Sequence, residues 1–245
     1  MKIELENLGK RYQSVTALEA VSLQIPAGSI VAVIGLNGAG KSTLLRTMAG
    51  ISAPSTGSVS YDGTRFSRAN TELRRRMFWM PDFPIIQQGT NLIQHIAMMV
   101  RAYDIPTSDA LEAKIMRWIE RFDLLEVAGQ PMETLSRGQA YKAALVSVYA
   151  VDPGVVMLDE PFASGIDPRG QIVIREEAKA LAARGGSWIY TTQIPEIAVR
   201  FADLLCVLDH GMLTAVIPRA ELDAMPDAGL QRLNEWMTAE PTRTP

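Results

Sequence analysis

Gly35-Leu36-Asn37-Gly38-Ala39-Gly40-Lys41-Ser42-Thr43 is the stretch that decides the fold. It follows the apolar run Ile30-Val31-Ala32-Val33-Ile34 and opens Thr43–Ala49, which has helical character. A strand, a glycine-rich loop and Lys-Ser at a helix start form the arrangement that holds a nucleoside triphosphate. The glycines let backbone N–H groups close around phosphate oxygens. The helix N-terminus adds partial positive charge. In such a loop Lys41 reaches the β- and γ-phosphates, and the Ser42 hydroxyl takes Mg²⁺.

The rest of the chain sets bounds around this loop. Its 245 residues allow one large domain or two small ones. Hydrophobic residues make up 47% and charged residues 21%, an ordinary globular balance with enough apolar material for a core. A net charge of −3 gives no support to a nucleic-acid binder, whose footprint is basic. Cys206 stands alone, which excludes an internal disulfide and fits a reducing compartment. The start, Met1-Lys2-Ile3-Glu4-Leu5-Glu6, carries acids and alternates like a strand, unlike a secretory leader. No uncharged apolar stretch reaches the ~18 residues of a membrane helix, so service to a membrane would run through another polypeptide.

Taken in order, the chain reads as alternating strands and helices. Lys2–Leu8 and Val21–Ile25 alternate as strands. Ser58–Tyr61 leads into an Asp62-Gly63 hairpin turn. Met77–Met80, closed by Pro81, reads as a buried strand. From about Phe83 to Leu135 the pattern becomes helical. Thr90 or Asn91 caps one helix, and Ser108 caps a second that carries Trp118 and Phe122. A long alanine- and valine-rich helix runs from the Leu135-Ser136-Arg137-Gly138-Gln139 segment to about Val151. Val155–Leu158 is an apolar run closed by Asp159 and Glu160. Ile172–Ala183 is helical, Ser187–Thr192 a strand, Pro195–Ala202 a short helix. Leu204–Asp209 and Met212–Ile217 form a last hairpin around His210-Gly211. A short helix is expected near Leu230–Met237, and 238–245 reads as disordered. Alternation of this kind argues for an α/β fold with a helical insert.

Acids emerging at the C-terminal end of a buried strand share an edge with the phosphate loop. Asp159 therefore suits a Mg²⁺-organising role, and Glu160 suits a base or an orienter of attacking water. Ser136 and Gly138, taken alone, are compatible with an ordinary helix cap.

The phosphate loop, the Leu-Ser-Arg-Gly-Gln segment and the Asp-Glu pair, in this order, resemble the ATP-binding subunits of ABC transporters over about residues 2–217. The short C-terminus and single nucleotide domain resemble stand-alone exporter-type subunits more than an importer with an appended regulatory domain. The resemblance implies a P-loop α/β core with an N-terminal antiparallel β part and a helical insert at about 83–137. It sets 1–217 as the ATPase domain and 218–245 as a short tail. It implies ATP and Mg²⁺ as cofactors. Tyr12 takes the position of the adenine-stacking aromatic, which from sequence alone is equally a surface residue. Asn37, Gly38, Ala39, Gly40, Lys41, Ser42 and Thr43 match the phosphate loop. Ser136, Gly138 and Gln139 match the signature segment that contacts the γ-phosphate held by a second copy. Ser164–Asp167 matches the loop that touches the opposite subunit. The implied working form is a head-to-tail dimer with itself or a related ATPase subunit, driven by ATP. It binds a separate transmembrane permease on the cytoplasmic face of the membrane and no nucleic acid. Phe83–Ile86 is the implied contact for that permease, burial in the insert being an equal reading.

Three positions depart from the pattern. Arg137 stands at the second glycine of the signature. Asp82 stands where a glutamine usually contacts Mg²⁺ and water, and Gln193 where a histidine usually contacts the γ-phosphate. Asp82 can still hold Mg²⁺ through a water. Gln193 can donate an amide hydrogen bond but cannot shuttle a proton. Tolerated variation and slowed hydrolysis both remain open at this level. So do two other functions, a soluble ABC-type ATPase without a transporter and a sensor that scarcely hydrolyses ATP.

Overall fold

A computed structural model describes residues 1–163 and 165–238. The elements run β1 (Ile3–Tyr12), β2 (Val15–Ile25), β3 (Ile30–Ile34), α1 (Lys41–Met48), β4 (Thr56–Tyr61), β5 (Thr64–Arg65), α2 (Thr71–Arg75) and β6 (Met77–Met80). They continue with α3 (Leu92–Ala102), α4 (Asp109–Arg121), α5 (Arg137–Val151), β7 (Val155–Leu158), α6 (Pro168–Ala183) and β8 (Ser187–Thr192). The chain closes with α7 (Pro195–Phe201), β9 (Leu204–Asp209), β10 (Met212–Pro218), α8 (Arg219–Asp223) and α9 (Asp227–Thr238).

Two sheets result. An antiparallel sheet has the order β2-β1-β4-β5, and a six-stranded sheet has the order β10-β9-β3-β8-β7-β6. In the larger sheet β9, β3, β8, β7 and β6 are parallel, and β10 adds an antiparallel edge. A strand covered on both faces is apolar throughout rather than alternating. β3 obeys this: Val31 and Val33 enter the core against the antiparallel sheet and α1, while Ile30, Ala32 and Ile34 enter the opposite core. That second core is centred on α5, which is buried almost without a break from Tyr141 to Val151. A helix hydrophobic all round belongs inside. The helices α3 and α4 of the insert pack on it. Trp118, Phe122 and Tyr149 make an aromatic cluster there, with the Trp118 and Tyr149 centroids 4.5 Å apart.

Some elements differ from the sequence expectation for identifiable reasons. β2 begins at Val15, not Val21, because its pairing with β1 shifts register repeatedly and Ala20 takes φ +49°. Bulges of this kind erase the alternation that reveals a strand. α6 begins at Pro168, capped by Asp167, four residues before its apolar period starts. Proline at the first helical position needs no apolar neighbour to be stable there. α8 was not expected. The C-terminal helices lie on the α5-centred core through Leu222, Leu233 and Trp236, and Asn234 donates to Glu196 on α7 at 2.7 Å. Of the tail expected to be disordered, 238–245, Thr238 instead ends α9, and 239–245 lie outside the described residues.

Candidate functional site

Register brings four strand ends level. Ile34 pairs with Thr192, Leu158 with Tyr190, and Met80 with Leu158. Because these strands are parallel, the residues that follow them leave the sheet on one edge. After β3 comes the phosphate loop, after β8 Gln193, after β7 Asp159 and Glu160, after β6 Asp82. Together with Val15–Ala17 they line one open depression of about 340 Å³. Ligands of open parallel sheets bind outside the carboxyl ends of the strands.

The loop backbone needs its glycines. Gly38 and Gly40 take φ +83° and +104°. A Cβ on Gly35 would run into the Leu208 carbonyl of β9. Gly40 is the N-cap of α1 and provides no side-chain cap, so the first N–H groups of α1 lack an acceptor within the helix. They are available to an anion.

Lys41 is buried, and its Nζ donates to the carbonyls of Gly35 (2.7 Å) and Leu36 (3.2 Å). It also stands 3.7 Å from Glu160 Oε1. Burial lowers the Lys41 pKa, and the charges of Glu160 and Asp159 oppose that shift. Glu160 occupies the left-handed backbone region at φ +48°. A non-glycine residue is held there only when its surroundings dictate it. Thr191 of β8 does so: its Oγ1 accepts from the Glu160 N–H (2.8 Å) and donates to Asp159 Oδ1 (2.6 Å). Gln193 Nε2 donates to Glu160 Oε1 at 3.3 Å. Glu160 Oε2 is buried and has no hydrogen-bond partner. Burial raises the Glu160 pKa, opposed by Lys41 and by the Gln193 hydrogen bond. A buried carboxylate oxygen with no partner, beside an ammonium at the edge of an open depression, is placed to accept a hydrogen bond or a proton from a ligand.

The expected signature residues lie elsewhere. Ser136 caps α5: its Oγ accepts from Gln139 N (3.3 Å), and Gln139 Oε1 accepts from Ser136 N (3.0 Å). The Gln139 side chain is thus used within the cap. Gly138 abuts the Gly165 carbonyl, which a Cβ there would strike. Lys142 Nζ donates to Asp167 Oδ2 at 2.8 Å, holding the Asp167 carboxyl below its usual range. Ser136, Gly138 and Gln139 are not among the walls of the depression. Tyr12, at the end of β1, is half-exposed; its ring carries Lys10 Nζ at 4.8 Å, and its hydroxyl pairs with Ser52 at 3.3 Å. It too lies outside those walls. Of the Ser164–Asp167 loop, Ser164 lies outside the described residues.

Asp82 lines the depression, but its Oδ1 accepts a 2.6 Å charged hydrogen bond from Arg137. The carboxylate expected to meet a metal is engaged by a guanidinium. Thr191 and Tyr141 went unnoticed in the sequence. Thr191 lies with Ser187 and Thr192 in a strand that otherwise carries Trp188, Ile189 and Tyr190, and hydroxyls in so bulky a run are the signal the sequence holds. Tyr141 is fully buried, and its hydroxyl has no partner. Its pKa is raised by burial first and then by Asp159 and Asp82.

Among the described residues no cluster of three or more metal-binding side chains is present. The donors on offer are the Ser42 hydroxyl and the Asp159 carboxylate. Mg²⁺ is characteristically held by one or two protein oxygens, with substrate phosphates and water completing the shell. This donor set fits it.

A parallel-sheet edge carrying a glycine loop, a buried lysine and a paired Asp-Glu defines a phosphate-loop nucleotide hydrolase. A family profile described as ABC transporter matches residues 18–163, and the chain belongs to that family. It is 29% identical over 231 residues to the daunorubicin/doxorubicin resistance ATP-binding protein DrrA of Streptomyces peucetius, covering 94% of this chain and 69% of that one. It is 31% identical over 230 residues to the nickel import ATP-binding protein NikO of Rhodobacter capsulatus, covering 89% and 90%. A solved structure described as the ATP binding subunit of an ABC transporter aligns with TM-score 0.86 and 27% identity, over 98% of this chain and 100% of that one. The chain is an ATP-hydrolysing subunit of the ABC transporter class. No described helix is long and apolar enough to cross a membrane.

Proposed function

We propose that the chain hydrolyses ATP with Mg²⁺ as cofactor, working as a head-to-tail pair of cassettes bound to a transmembrane permease at the cytoplasmic face. Residues 1–217 are the cassette, with the insert at about 83–137, and 218–245 an appended segment. The observation that carries the reading is the 3.7 Å approach of Lys41 to Glu160 on the phosphate-loop edge. Lys41 and the free N–H groups of α1 bind the phosphates. Ser42 and Asp159 would hold Mg²⁺, which would supply positive charge against the phosphates. Glu160 accepts a hydrogen bond from the attacking water, and Gln193 orients that carboxylate. Tyr12 offers a ring for adenine.

The two-chain site is supported by what one chain lacks. Ser136 and Gly138 do not reach their own depression, yet they open a helix whose first N–H groups suit an anion. The permease reading is supported by Phe83 and Ile85, large apolar side chains 64% and 77% exposed on one short segment. The test is Mg²⁺-dependent phosphate release by the purified chain, alone and with the multi-span protein that co-purifies from membranes. Turnover abolished by Glu160→Gln is expected. Absence of turnover in both settings overturns the reading.

A further inference from the structure

Two departures from the family pattern meet in space. Arg137, the first residue of α5, donates through a guanidinium NH₂ to Asp82 Oδ1 at 2.6 Å, across 55 residues of sequence. The same guanidinium lies 4.3 Å from the Phe83 ring centroid. Arg137 therefore grips the Asp82-Phe83 dipeptide, one residue through a planar charged hydrogen bond and the next through a cation–π contact. Both members of the ion pair are about 40% exposed, so the pair adds little to stability. Its position is more informative than its strength. Asp82 is a wall of the nucleotide depression, alongside Asp159 and Glu160. Three carboxylates there face one ammonium, Lys41. A triphosphate entering that space meets a field that Asp82 makes worse unless its charge is met.

We propose that Arg137 is a positioning residue that masks and aims Asp82, so that Asp82 and Arg137 act as one exchangeable unit in ATP binding. Arg137 supplies the countercharge that makes an aspartate tolerable at this wall, and its hydrogen bond to Oδ1 fixes which way the carboxylate faces. Tyr141 supports the placement. It lies one turn further along α5, is fully buried, and its hydroxyl has no partner. The Arg137–Asp82 hydrogen bond and the action of the Asp159 and Asp82 charges on Tyr141 place this face of α5 toward the acid-lined edge. The inference rests on the nucleotide site of the proposed function and adds a residue pair to it.

Titration calorimetry of ATP into the isolated chain tests it without needing turnover. Arg137→Ala should weaken ATP binding about three- to tenfold, the effect of one uncovered charge at several ångströms in a partly solvated site. The loss should shrink as salt is raised. Asp82→Asn alone leaves the Arg137 charge unopposed beside the phosphates and should tighten ATP binding by a similar factor. The double variant should return to the unsubstituted value, and Asp82→Gln with Arg137→Gly should do the same. Melting temperatures of all four should stay close together, which a merely structural role would not predict alongside a change in Kd. If Arg137→Ala binds ATP normally, or if Asp82→Asn fails to rescue it, the pairing has no such role. If the unsubstituted chain does not bind ATP, the nucleotide site itself fails, and the pair's role with it.

Discussion

Lys41 Nζ stands 3.7 Å from Glu160 Oε1, at the floor of a depression walled by the phosphate loop. The ammonium also donates to two loop carbonyls, so it is aimed before any ligand arrives. Among the described walls of the depression Lys41 is the cation, and Lys41→Ala leaves Glu160 and Asp159 facing the phosphates. ATP binding to the isolated chain should fall by at least about a hundredfold, since a charged, desolvated partner contributes roughly 3 kcal/mol or more. Calorimetric binding in the micromolar range by this variant would contradict the role.

Glu160 must be ionised to orient water, and burial raises its pKa above the ordinary glutamate value of 4.5. The charged form dominates only above that raised value. Turnover should therefore climb with pH through a midpoint higher than a free carboxylate's. Glu160→Gln should remove this limb and lower kcat by about 10²–10⁴ while sparing ATP binding. The stability sign is opposite. A carboxyl raised on folding favours the native state at low pH and disfavours it as pH rises through the folded value. Glu160→Gln should thus raise the melting temperature of the free chain at neutral pH, and the gain should fade on acidification. A gain that grew on acidification would reverse the assignment.

The edge that carries this chemistry was legible early, because an apolar strand, a glycine loop and two acids after a second apolar strand are local signals. Their mutual register needed only parallel pairing. Less was legible where one residue's role depends on a distant one. Asp82 reads as a metal contact only through the family resemblance; beside Arg137, 55 residues away, it is an ion-paired wall. Thr191 reads as a strand residue until Glu160 is found in the left-handed region, where only that hydroxyl receives its N–H. Register shifts between β1 and β2 hid the first half of β2 for a related reason: the pattern belongs to the pair of strands, not to either one.

Gly138 packs against the Gly165 carbonyl with no room for a methyl group. The obstacle is backbone, which cannot rotate away as a side chain would. Gly138→Ala should cost about 1–3 kcal/mol, read as a lower melting temperature. It should also reduce turnover, because the displaced loop begins directly after Glu160. An unchanged melt would show that α5 can slide away freely.

Ser136 serves two purposes that one variant can separate. Its hydroxyl caps α5, and the proposed reading presents it to the γ-phosphate held by a second copy. Ser136→Arg removes the cap at a cost of about 1 kcal/mol, measured as a modest drop in melting temperature. ATP binding to the monomer should be spared, since Ser136 is not a wall of its own depression. ATP-driven dimerisation, followed by light scattering on the Glu160→Gln background, should disappear. Intact dimerisation would refute the two-chain site.

Ile85 is 77% exposed, and Ile86 beside it turns into the core, so the segment presents one apolar side chain outward and anchors with the next. Such a side chain forgoes the free energy of burial until a partner covers it. Ile85→Glu touches neither the phosphate loop nor the Arg137 contact. It should change stability by no more than about 0.5 kcal/mol, as surface substitutions do. ATPase activity of the isolated chain should stay within about twofold. Recovery of the multi-span partner from membranes should fall sharply, and stimulation of turnover by that partner should fall with it. Undiminished recovery would move the permease contact off this segment and onto another face of the insert.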